Sequence, residues 1–267
     1  MRQKDILSFF SLEGNPFSKE IKTSELMNLP TIETAVGQLN LLLETRGIGL
    51  LTGPSGTGKS SLIRKITSEM NPGLYRPFYL CHTSLGTAEF YQTFASALGL
   101  SPAGRRNTSF RTIRDFILDM NDQQKIHPVI FIDEAHQLSS DTLREFRMLT
   151  NFDYDSKNAC TLVLCGHCEL RQKLSLNVFT SLANSITYSI RLEALSAGET
   201  YSFIEHGIAS KKGSPGLFTK NAMKLIHDFS GGVLRSVSNV AWQTLLKAYD
   251  QKSTNVEREH VQMVIHH

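Results

Sequence analysis

Ile48-Gly49-Leu50-Leu51-Thr52-Gly53-Pro54-Ser55-Gly56-Thr57-Gly58-Lys59-Ser60-Ser61 is the stretch on which the reading of the whole chain turns. Its opening is a short apolar run of the kind that forms a buried strand. The octet from Gly53 to Ser60 fits G-x-x-x-x-G-K-[ST], and Lys59 to Met70 continues with helical amphipathicity. Strand, glycine loop and helix in that order distinguish a phosphate-binding loop from a glycine-rich turn that happens to carry a lysine. Glycines 53, 56 and 58 let successive backbone amides turn inward around phosphate oxygens, and the following helix presents its positive N-terminal end. Lys59 is then expected to reach the β and γ phosphates of ATP and Ser60 to bind Mg²⁺. Pro54, Ser55, Thr57 and Ser61 complete the nucleotide-binding set.

Further along, Val129-Ile130-Phe131-Ile132-Asp133-Glu134 places four apolar residues before two carboxylates at the end of a strand, a Walker B pattern. Asp133 is expected to hold the Mg²⁺ and Glu134 to orient or activate the attacking water, since phosphoryl transfer leaves a carboxylate that task once positioning and charge are supplied. An acidic pair that merely caps a helix is the alternative. Asp133-Glu134-Ala135-His136 also spells a helicase box, but no further helicase motif or second motor domain accompanies it.

Outward from these motifs, short apolar runs at Ile48 to Thr52, Pro77 to Cys81, Val129 to Ile132, Thr161 to Cys165 and Thr187 to Leu192 alternate with amphipathic stretches. That alternation predicts an α/β fold with a five-stranded parallel sheet flanked by helices. From Leu195 the pattern becomes helical only, opening on Ser196-x-x-Glu199, a capping box. Helices are expected over Lys220 to Phe229, Leu234 to Tyr249 and Asn255 to Ile265, the last started by a second box at Thr254-x-x-Glu257. Gly231-Gly232 ends one helix and turns the chain. Three parts result: an N-terminal segment 1–46, a nucleotide-binding core 47–194 and a small all-helical lid 195–267.

The 267 residues, 40% hydrophobic and 20% charged with a net charge of +3, describe an ordinary soluble globular chain. A polyanionic partner would need a local basic patch. No secretory signal opens the chain and no apolar stretch of about 18 residues occurs. The expectation is a cytoplasmic protein without a membrane span and with its four cysteines reduced. Cys165-Gly166-His167-Cys168 matches a dithiol redox motif, and Cys160 with Cys165, His167 and Cys168 suggests a zinc set. Against both, the strand is the one expected after Walker B in an ATPase core, where a polar residue touches the γ-phosphate or the attacking water. His167 is the candidate for that sensor role, with a solvated loop histidine as the alternative.

With these residues in hand, the chain resembles the ExeA-like branch of AAA+ ATPases, shared by secretion-associated ATPases and helper ATPases of bacterial transposons. The marks are Phe9-Phe10-Ser11-Leu12-x-x-Asn15-Pro16-Phe17, the phosphate loop, the Asp133 to His136 box, Gly166-His167-Cys168-Glu169-Leu170-Arg171 and Gly231-Gly232-Val233-Leu234-Arg235. The resemblance implies that Pro16 and Phe17 lie near the adenine and that Arg235 is a second sensor reporting lid position. Relatives often carry Gln-Arg-Ile where this chain reads Asn184-Ser185-Ile186. The arginine that crosses a subunit interface is then missing, with Arg171 and Arg191 as substitutes.

The same resemblance implies ATP-driven homo-oligomers, ring or helical filament, on duplex DNA, recruiting or stimulating a transposase, with hydrolysis causing disassembly. A chain that stops soon after the lid fits the transposition helpers better than secretion ATPases with appended spans. For DNA, Arg105 and Arg106 in a Gly-Arg-Arg-Asn-Thr loop, Lys157, Arg64, Lys65 and the His82-Thr83-Ser84 stretch are the candidates. The alternatives are a secretion or envelope assembly ATPase acting on protein partners, and a nucleotide switch with negligible turnover.

Overall fold

The computed structural model describes residues 2–20, 23, 26–81, 83–102 and 104–265. Five strands, β1 (Gly47–Thr52), β2 (Tyr75–Leu80), β3 (His127–Ile132), β4 (Thr161–Gly166) and β5 (Ile186–Arg191), form one sheet in the order β2-β3-β4-β1-β5. All adjacent pairs are parallel. All five strands fall within two residues of their expected positions. β2 begins two residues early and ends at Leu80, leaving Cys81 outside. This strand is an edge, and it carries Pro77, which has no N–H to give.

Alternation along each central strand feeds two apolar layers. Ile48 and Leu50, Ile130 and Ile132, and Leu162 and Leu164 face a cluster with α4 (Thr87–Ala97), α5 (Arg106–Asp122), α6 (Ser140–Leu149) and α7 (Cys168–Leu174). Leu51, Val129, Phe131, Val163 and Cys165 face the other, with α2 (Pro30–Thr45) and α3 (Lys59–Glu69). Burial on both faces is why these strands read as continuous apolar runs rather than as apolar/polar alternation. The short α8 (Thr180–Asn184) leads into β5.

The chain divides into an α/β unit, residues 32–53 and 59–192, and a helical unit, residues 1–31, 54–58 and 193–267. Residues 1–31 thus group with the helical unit and residues 32–46 with the α/β unit. Helix α2 buries Ala35, Leu39, Leu42 and Leu43 against the sheet layer just described, whereas Ile6, Phe10, Leu12 and Phe17 belong to the core of the helical unit.

That helical core is built by α1 (Gln3–Phe9), α9 (Ala197–Ser210), α10 (Lys220–Ser230), α11 (Leu234–Asp250) and α12 (Arg258–Ile265). Ser196 caps α9 with both halves of the box formed. The second box does not form. Val256 is held extended, its amide donating to the Leu217 carbonyl (2.7 Å) and its own carbonyl accepting from Thr219 (3.0 Å), so α12 starts only at Arg258. The cap is supplied backwards, by His260 Nδ1 accepting from the Glu257 amide at 2.9 Å. Gly231 and Gly232, at φ 57° and 73°, make the turn between α10 and α11. A Cβ on Gly232 would stand 2.0 Å from the Leu195 carbonyl oxygen, so only glycine fits.

Candidate nucleotide-binding site

The C-terminal ends of β1, β3 and β4 lie side by side, and each delivers a motif: Gly53 after β1, Asp133-Glu134 after β3 and His167 after β4. Ligands of open parallel sheets bind at such strand ends. The Gly53 amide donates to the Gly166 carbonyl at 3.3 Å, tying the start of the loop to the end of β4. Lys59, only 5% exposed, donates from Nζ to the Gly53 carbonyl at 2.8 Å. Burial lowers its pKa, against the opposing pull of Glu134 and Asp133. Ser60, on the first turn of α3, donates to Asp133 Oδ2 at 3.1 Å, and Ser61 follows it on the same turn.

Residues 54–58 group with the helical unit. Gly56 and Gly58 have φ of 82° and 100°, conformations that L side chains rarely adopt. The Gly56 carbonyl accepts from the Arg235 amide at 3.1 Å, and a Cβ on Gly56 would meet Arg235 Cβ at 2.9 Å. Thr57, buried, bonds to the Pro54 carbonyl (2.9 Å) and locks the turn that contains Ser55.

Asp133 is 4% exposed and its carboxylate accepts three hydrogen bonds: Ser60, the Glu134 amide at 2.9 Å on Oδ1, and the Tyr79 hydroxyl at 2.6 Å on Oδ2. Burial, then the bond to Asp133, raises the Tyr79 pKa, so the phenol stays protonated. Glu134 sits in the left-handed region at φ 54°, a strained conformation for a residue other than glycine, of the kind that clusters at functional sites. Its carbonyl takes the Thr83 hydroxyl at 2.9 Å. Thr83, a candidate DNA contact, is thus buried with its hydroxyl spent on the Glu134 carbonyl; His82 lies outside the described residues.

Facing Glu134 are two histidines. His136 Nε2 and His167 Nε2 lie 3.6 and 3.8 Å from Glu134 Oε2, and the rings stack with centroids 4.3 Å apart and planes 16° apart. Burial and then the neighbouring His167 lower the His136 pKa. Among the described residues this trio is the one group with the ligand spacing for a metal. Near-parallel rings, however, aim their in-plane lone pairs along separate planes instead of at one ion. His136 Nδ1 also accepts from the His167 amide at 3.4 Å, which leaves its proton on Nε2. The zinc set already argued against in sequence fares no better: Cys165 is fully buried among apolar side chains, and burial pushes its thiol well above its ordinary pKa. All four cysteines are free thiols.

Other expected residues lie as follows. Arg171, exposed on α7, brings its guanidinium 3.5 Å from the Thr52 hydroxyl at the end of β1. Pro16 and Phe17 lie in the helical unit, where Phe17 packs on Phe203 and Phe218 and closes on Gly207. Arg106 pairs with Glu145 and Lys157 with Asp122 at 2.5 Å; Arg105 is the N-cap residue of α5. Tyr79 and His136 were missed as site residues. Strand alternation alone could not find Tyr79, because its role depends on β2 lying next to β3.

The donor set fits a magnesium nucleotide. Ser60 and Asp133 offer hard oxygens together, Lys59 is a buried ammonium beside them, and Gly56 and Gly58 keep conformations that open backbone amides to phosphate. Residues 42–174 match the family model described as AAA domain. General secretion pathway protein A of Aeromonas hydrophila is 28% identical over 252 residues, covering 93% of this chain and 46% of that protein, so the chain spans about half the relative's length. Among solved structures, Cdc6p from Pyrobaculum aerophilum is similar at a TM-score of 0.71 and 17% identity, covering 90% of this chain and 67% of that one. The Aeropyrum pernix ORC1 protein in complex with DNA gives 0.66 and 16%, covering 93% and 67%. These likenesses are of fold, and the fold is that of the AAA+ P-loop ATPases.

Proposed function

We propose that the chain is an ATP hydrolase whose Mg²⁺-ATP is held by the loop Gly53 to Ser60, with ATP driving oligomerisation on duplex DNA and hydrolysis causing disassembly. The observation that carries the hydrolase reading is the convergence of Lys59 and Ser60, which follow β1, with Asp133 and Glu134, which follow β3, on either side of β4. Lys59 places a fixed positive charge where the β and γ phosphates lie. Ser60 and Asp133 hold Mg²⁺, which when bound supplies charge neutralisation to the transferring phosphoryl group. Glu134 bonds to Asp133 through its backbone amide only, and its carboxylate is kept for orienting water. His167 and Arg235 are the polar and cationic groups proposed to sense the γ-phosphate, and Pro16 and Phe17 are proposed to border the adenine.

The DNA reading, with a transposase as partner and an oligomeric ring or filament as the active form, is supported by the similarity to a fold neighbour seen in complex with DNA. The pairing of Arg106 and Lys157 with acidic neighbours leaves the choice of contact residues to experiment. A second reading, an assembly ATPase of secretion acting on protein partners, is favoured by the 28% identity to a secretion pathway protein. ATP turnover and sedimentation, with and without long duplex DNA, separate them. Lys59→Ala abolishes ATP binding, and Glu134→Gln binds ATP but loses about 100-fold or more in turnover and traps assemblies. Large DNA-bound oligomers that form with ATP and dissolve with ADP support the first reading; indifference to DNA overturns it in favour of the second.

A further inference from the structure

Asp133 is expected to serve the divalent cation, yet one of the groups that fixes its carboxylate comes from outside the recognised motifs. The Tyr79 hydroxyl donates to Oδ2 at 2.6 Å, the shortest of the three bonds that Asp133 accepts and one of the charge-assisted kind. The placement follows from topology. Tyr79 on β2 is in register with Phe131 on β3, and Phe131 shares its sheet face with Asp133 two residues on. One strand spacing, about 4.8 Å, then separates the tyrosine backbone from the strand that carries the carboxylate.

Packing does not account for the residue. Its flanking neighbours Phe78 and Leu80 are buried, whereas Tyr79 is 47% exposed on the edge strand. Its hydroxyl is spent on the same oxygen that Ser60 reaches, so two of the groups around the cation position are pinned to each other and to β2.

We propose that Tyr79 is a positioning residue for the divalent cation of the nucleotide site, holding the Asp133 carboxylate in the orientation that receives the metal. The inference rests on the nucleotide reading above. Magnesium demands near-ideal octahedral geometry, and partners that orient a ligand from behind typically govern metal affinity by about 10- to 100-fold.

Titrating Mn²⁺ into the full chain with a non-hydrolysable ATP analogue, followed by electron paramagnetic resonance, tests this in wild type, Tyr79→Phe and Asp133→Asn. Tyr79→Phe should raise half-saturating Mn²⁺ about tenfold. Affinity for a fluorescent nucleotide in EDTA should stay at the wild-type value, which also verifies the fold, and turnover should recover at high metal. Equal Mn²⁺ half-saturation in wild type and Tyr79→Phe overturns the inference while leaving the nucleotide reading intact. A wild-type chain that binds neither nucleotide nor Mn²⁺ overturns both.

Discussion

The two units bury polar side chains for different ends. In the α/β unit these buried polar contacts reach between elements distant in sequence: Ser60 and Tyr79 to Asp133, Thr83 to Glu134, His127 to Thr161. In the helical unit most stay within one turn: Thr244 to the Val240 carbonyl, Ser230 to Gly232, His260 to Glu257. Bonds of the second kind finish a helix or its end. Bonds of the first kind fix the relative position of elements far apart in sequence, which is what a site assembled from three strand ends requires. Between its own helices the helical unit adds such a bond, Thr200 to His227 Nδ1 at 2.9 Å, and close backbone approach, as at Gly232.

The largest effect expected from this contrast is therefore a backbone one. Gly232→Ala forces a Cβ onto the Leu195 carbonyl at positive φ, and roughly 4 kcal/mol should be lost from the helical unit, seen as early proteolysis of that unit on heating. If the variant melts like wild type, backbone approach is not what fixes this unit.

Next comes His127, buried at the start of β3, its pKa lowered from 6.5 to about 4 by burial and, secondarily, by Arg46. Below pH 6.5 the unfolded chain takes up a proton that the native state refuses until about pH 4, so stability is fully present above that window and falls through it. The loss is about 3 kcal/mol, read from urea midpoints against pH, and His127→Gln should flatten the curve.

The smallest effect is the sharpest comparison, one substitution made in both units. Thr161→Val strips His127 Nε2 of its partner at 2.9 Å in a site where His127 Nδ1 already has none, and should cost about 2 kcal/mol. Thr244→Val leaves the Val240 carbonyl with its helical amide and should cost under about 1 kcal/mol. Equal urea midpoints for the two variants would erase the distinction between the units.

Much of this was legible in the chain because the apolar runs are short, buried on both faces and bounded by motif residues. Lys59, Ser60, Asp133 and Glu134 carry their chemistry in local spacing, so no knowledge of strand order is needed to pair them. Tyr79 and His136 have no such spacing: their roles come from β2 lying against β3 and from β4 ending beside the box after β3, which is three-dimensional information. The second capping box failed for a related reason. Thr254 and Glu257 had the right local pattern, and a strand-like pairing of Val256 with the distant Leu217 overrode it. The apolar face of α2 likewise does not announce in sequence which core it enters.

Pro77 on β2 carries a consequence for how copies of this chain can meet. An exposed parallel edge is an invitation to add another strand, and uncontrolled strand addition ends in fibrils and precipitate. The proline withholds a donor in the middle of that edge, and Arg76 beside it sets a charge there, so a would-be intruder finds an interrupted ladder. Copies of this chain are thereby steered away from sheet-to-sheet aggregation at this edge.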